Sequence, residues 1–265
     1  MPFPDKPRVR YRKNTLRQVV CQVRFPTILR IGTEAPADFQ ERIRERFPLY
    51  SEVKQALTEI ELPEPLARIV RDQMNLSTGP VTHQFRSADE KRVVGLSTGF
   101  LSLTDRAYTR WEEFWEHLEA PLSALEDIYR PAFYERIGLR YQNVIRRSAL
   151  GLGDRGWGEL LEPHIAGELA RPEIAAEVEQ AARQLIVNLG ADQGKVQVQH
   201  GLLLDAEGGG TPEACFGIDA DFYRGERSEV RDGREVLERF NKRARSLFRW
   251  CITDVLHEAM EPEPL

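Results

Sequence analysis

Asp219 and Asp221, two apart in FGIDADFY, are the residues in this chain whose types and spacing most directly suggest chemistry. On a strand that spacing sends both carboxylates out of one face. Such a pair can hold Mg²⁺ or Mn²⁺, which take hard oxygen ligands, or can divide acid and base duties. The plainer reading makes them the wet side of a strand whose other side is Ile218, Ala220 and Phe222. His200 follows VQVQ at a strand position and can act with either acid, or can simply be a packed histidine. Arg24, Arg136 and Arg140 share one sheet face if their strands are neighbours, and Gln22 and Gln142 join them there. That cationic floor suits an anion or a nucleic-acid backbone. If Asp219 and Asp221 lie on it too, an arginine–aspartate network is the reading slightly preferred. Lys242, Arg245 and Arg249 are spaced three and four apart and form one helical stripe, able to meet phosphates or an acidic partner protein. A solvated helix face is the preferred explanation of the stripe, since cations favour a helix's C-terminal half.

Other signatures are missing. The five histidines, His83, His117, His164, His200 and His257, are scattered, and no HExxH or HxH occurs. There is no G-x-S-x-G elbow. Residues 150–158 contain four glycines, but no Lys-Ser/Thr pair follows and the dinucleotide spacing is absent, so this reads as a connector. No catalytic residue and no metal ligand is assigned beyond the candidates Asp219, Asp221 and His200. No cofactor is expected, with a divalent metal on the two aspartates as the exception.

The elements that must position these residues follow from periodicity. ERIGLRYQNVIRR, residues 135–147, places Ile137, Leu139, Tyr141 and Ile145 on one side and Arg136, Arg140, Gln142 and Arg146 on the other. Asn143 is the one polar residue on the apolar side. This alternation predicts a strand with one buried face. A second strand is predicted over 15–25, with Val19, Cys21, Val23 and Phe25 on one face. A helix is expected over 37–47, and a hairpin from 81–86 and 92–103 turned at 88–91. A long helix is predicted over 108–129, where Trp111, Phe114, Trp115, Leu118, Leu122 and Leu125 form a core stripe. Residues 49–80, interrupted by Pro63 and Pro65, are expected to be irregular and mobile.

The second half repeats the plan. Helical candidates at 157–169 and 173–182 precede strands at 184–189, 195–204 and 214–223, with a flexible turn at Glu207-Gly208-Gly209-Gly210. A helix over 233–260 ends the chain. The expected fold class is therefore α+β, as two similar halves, each an antiparallel sheet covered by a long helix. Residues 1–14 form a basic extended arm, 15–149 the first half and 150–265 the second, and the halves can pack as one domain.

Composition narrows the class. The chain has 265 residues, 41% of them hydrophobic and 30% charged, as in a globular protein with a real core. No apolar run reaches the ~18 residues of a membrane span, and the stretch MPFPDKPRVR has no apolar h-region. A cytoplasmic location is expected. Cys21, Cys215 and Cys251 each sit in an apolar pattern, pointing to buried thiols. The net charge of −5 argues against an obligate nucleic-acid protein, although residues 6–30 hold eight cations and no acid.

VVCQVRF, WEEFWEHL, RIGLRYQNVI, FGIDADFY and FRWCITDVLHE occur in an order that resembles a sporadically distributed bacterial family of about this length, defined by sequence and of unknown function. The resemblance spans nearly the whole chain and transfers no catalytic residue. Its patchy distribution implies mobile genes of the kind found in defence, toxin–antitoxin or stress loci. Together these readings favour a non-catalytic binding module for a protein encoded nearby or an anionic ligand. A metal-dependent enzyme acting on a nucleotide or nucleic acid through Asp219 and Asp221 is the alternative. A nucleic-acid binder led by the arm is the third reading.

Overall fold

A computed structural model describes residues 2–54, 81–205 and 212–265. Most of the irregular segment expected over 49–80 and the glycine turn at 207–210 lie outside the described residues. Nine strands form one antiparallel sheet: β2 (Leu16–Arg24), β3 (Leu49–Lys54), β4 (Val81–Arg86), β5 (Arg92–Ser97), β6 (Phe100–Asp105), β7 (Arg136–Ile145), β8 (Ala182–Asn188), β9 (Lys195–Asp205) and β10 (Glu213–Arg224). Their order is β3-β4-β5-β6-β2-β7-β10-β9-β8. β7 pairs with β2 on one side and β10 on the other. The protein is therefore α+β with a large antiparallel sheet to which both parts of the chain contribute. β1 (Val9–Tyr11) and β11 (Pro262–Pro264) make a separate two-stranded ribbon.

One face of the sheet is the core. Val19, Cys21 and Val23 of β2, Ile137 and Leu139 of β7, and Ile218 and Phe222 of β10 are all almost wholly buried there. Their alternation with polar neighbours is what made these strands readable. Two long helices supply the other layer. The first, α3 (Trp111–Tyr129), lies against β6, and the other, α6 (Gly233–Cys251), lies against β7 and β10. Phe222 meets Phe240 of α6 with ring centroids 6.1 Å apart. Two smaller helices, α1 (Arg30–Thr33) and α2 (Ala37–Ile43), follow β2, and Phe39, Ile43 and Phe47 are buried. All three cysteines are buried and free of disulfides.

Several elements differ from expectation, each for a local reason. The strand expected over 92–103 is two, turned at Thr98-Gly99, which completes a second hairpin. The helix expected over 157–169 breaks into α4 (Trp157–Leu160), α5 (Pro163–Ala166) and a 3₁₀ turn, because Pro163 starts a new helix and Gly167 adopts φ +53. Residues 172–177 form turns and 178–181 run irregularly into β8, leaving Ile174 exposed where the expected helix would have needed to bury it. The helix expected over 233–260 stops at Cys251, with Ile252 extended. A new helix, α7 (Asp254–Ala259), is then capped by the Thr253 hydroxyl, which accepts from the Leu256 N–H at 3.5 Å.

Candidate functional site

The face of the sheet opposite α3 and α6 carries Arg136, Arg140, Gln142, Asp219 and Asp221 together. Register does this: Gln142 lies opposite Asp219 and Arg140 opposite Asp221. The Arg136 Nη2 donates to Asp221 Oδ2 at 2.7 Å, and Arg140 holds both oxygens of Asp219, its Nε at 2.7 Å. Gln142 Nε2 adds a third bond to Asp219 at 2.8 Å, and Gln142 Oε1 accepts from Gln18 Nε2 at 2.6 Å. A side chain at Gly138 would collide with the Arg136 guanidinium, so glycine at that place in RIGLRYQN leaves room for it. Arg136 also lies 5.1 Å over the Tyr223 ring. Burial pushes the Asp221 carboxyl upward, and the Arg136 and Arg140 charges oppose this. Arg24 is opposite Arg136 in register and is exposed. The acids thus serve as partners for arginines, and a metal on them would have to displace guanidinium groups. Among the described residues, no group of three His, Cys, Asp or Glu side chains is placed to hold a metal.

His200 does not belong with the aspartates. It pairs with Ile218, one residue away from Asp219 in register, and so points to the core face. There it is 7% exposed, 5.9 Å from the Phe216 ring, and burial lowers its pKa.

The core face opens at one corner into a cavity of about 120 Å³. It lies between the N-terminus of α3 and the C-terminal half of α6, with Tyr141 and Asn143 of β7 exposed to it and the β1–β11 ribbon beside it. A bulge at Arg17 shapes the rim. Leu16 pairs with Asn143 whereas Gln18 pairs with Gln142, so the bulge turns Leu16 to the core side. Asn143 is 7% exposed and accepts from the Thr15 hydroxyl at 3.0 Å. The Tyr141 hydroxyl donates to Asn241 Oδ1 at 3.0 Å, and the Tyr108 ring meets Tyr141 edge-on at 5.9 Å. Burial holds the Tyr141 phenol well above its ordinary range, so it stays a donor at neutral pH, with the nearby Arg245 charge acting the other way.

Five arginines line this cavity. Arg8 pairs with Glu112 at 2.5 Å, Arg10 with Glu263 at 2.6 Å, Arg110 with Glu113 at 2.9 Å and Arg249 with Asp254 at 2.8 Å. Arg245 differs from all of these. Its Nε is buried without a hydrogen-bond partner, and no carboxylate, carbonyl or ring engages its guanidinium among the described residues. Three other arginines share a buried, unbonded Nε, yet each finds another partner. Arg86 reaches Glu90 at 3.5 Å, Arg224 reaches Glu226 at 3.8 Å, and Arg147 donates to the Arg155 carbonyl at 2.7 Å.

The stripe predicted on the last helix is therefore divided. Lys242 is exposed and faces Asp5 at 3.5 Å, Arg249 is tied to Asp254, and only Arg245 of the three presents an unpaired cation to the cavity. Two further cations of the arm are also engaged: Lys13 meets Glu261 at 2.8 Å, and Arg12 lies 3.6 Å from Glu261 and 3.7 Å from Glu263. Tyr108, Tyr141, Asn143 and Asn241 were not singled out as site residues from the sequence. One signal was present: Asn143 is polar on the otherwise apolar side of its strand, which demands a partner or a cavity. No family model matches the chain, and no curated protein does.

Proposed function

We propose that the protein is a non-catalytic binding module whose ligand is a small anion held in the cavity at Arg245. The observation that carries this reading is the part-buried guanidinium with no counter-charge among the described residues. Burying a charge without a partner is costly, and an arginine left so beside a cavity suits an incoming anion. The chain's two parts, each with strands followed by a long helix, form two similar halves in this reading, and the cavity lies where their helices flank β7. A protein encoded nearby is the other partner class that such a module can serve. An enzyme working through Asp219 and Asp221 has less support, because both acids already hold arginines. A nucleic-acid binder led by the arm has less support, because Glu112, Glu261 and Glu263 face its cations.

Native mass spectrometry of the protein isolated gently from its host tests this reading. A small-molecule adduct that disappears in Arg245→Gln is expected. A bare chain, together with no rise in melting temperature in phosphate, sulfate or simple carboxylates at constant ionic strength, would overturn it.

A further inference from the structure

Resting on that reading, we infer that the ligand is a small organic monocarboxylate with an apolar body about the size of a single ring. Charge sets the first limit. Four of the five lining arginines are matched by their own carboxylates, which leaves one positive charge for the ligand to answer. A phosphate with close to two charges finds too few cations here. A carboxylate matches the planar fork of one guanidinium.

Geometry sets the second limit. Asn241 lies one helical turn from Arg245 on the same face, and its oxygen is engaged by the Tyr141 hydroxyl, which turns the amide donors toward other partners. Around this polar corner the walls are Leu16, Tyr108, Trp111, Ala244 and Phe248. An apolar body fits against them, and the aromatic rings favour a planar one. Size is the third limit. At ~10–15 Å³ for each water-sized position, the cavity of about 120 Å³ takes roughly ten such groups. That admits a benzoate-sized molecule.

Isothermal titration of the full chain with benzoate, hexanoate, benzamide and inorganic phosphate, at constant ionic strength, separates the possibilities. One benzoate or hexanoate per chain is expected to bind, with neutral benzamide and phosphate at least tenfold weaker, as befits loss of a charged hydrogen-bonded contact. Arg245→Gln is expected to weaken the carboxylate at least tenfold and remove its advantage over benzamide, and Arg245→Lys is expected to recover part of it. Equal binding of benzoate and benzamide overturns the inference, as does failure of both carboxylates. Binding of phosphate alone, dependent on Arg245, overturns the carboxylate assignment and leaves the anion-binding reading standing. Should the variants fail to fold, the benzoate–benzamide comparison on the natural chain still supports or overturns the inference.

Discussion

At the scale of single residues, face decides role. His200 and Asp219 sit on adjacent strands, yet a one-residue difference in register puts the imidazole in the core and the carboxylate on the opposite face. Burial is also the largest cause lowering the pKa of His117, His200 and His257. In the unfolded chain these rings titrate near ~6.5. Below that pH the unfolded chain takes up protons that the folded chain resists. Their contribution to stability is therefore complete above pH ~6.5 and is lost as pH falls toward the lower folded values. The melting temperature is expected to drop between pH 7 and pH 5, and His200→Leu should flatten part of the drop. A His200→Leu profile parallel to that of the natural chain would show that His200 takes no part in the drop. The arginines follow the same rule: nothing in their types separates Arg245 from Arg249, and only the distance to a carboxylate does.

At the scale of elements, the β1–β11 ribbon is the weakest joint. It has three residues a side, and ion pairs such as Arg10–Glu263 and Lys13–Glu261 are substantially exposed. Exposed pairs contribute little and are screened by salt. The ribbon is therefore expected to open locally before the sheet does. Hydrogen exchange checks this. The Arg12 and Lys13 amides, bonded to the Glu261 and Met260 carbonyls at 3.2 Å and 3.1 Å, should exchange faster than those of β7, and faster still as salt is raised. Equal protection in ribbon and sheet would contradict it. Element boundaries were only partly legible in the sequence. The strands of the central sheet show in their alternation because each has a wet and a dry face. The break at Ile252 is masked by an apolar spacing that continues through it, although Thr253-Asp254 is a recognisable helix start.

At the scale of the molecule, β7 joins everything. It pairs with both β2 and β10 and separates the parts of the sheet contributed before and after it. Leu139, fully buried at its centre, is thus a test of unity. Leu139→Ala is expected to cost about 2–5 kcal/mol and to lower a single cooperative transition seen by calorimetry. Two separated transitions would show that the halves melt independently. No helix among the described residues is long and apolar enough to cross a membrane. By itself the sequence determined the α+β class, the strands that alternate and the buried faces of the long helices, because side-chain periodicity is a local property. Only the tertiary structure decided that one nine-stranded sheet spans both parts of the chain, that Arg136 and Arg140 meet Asp219 and Asp221 on it, that His200 faces away from the aspartates, and that Arg245 lines a cavity with no counter-charge among the described residues. Register, strand order and the distance between charges remote in sequence arise from packing, and local periodicity carries no record of them.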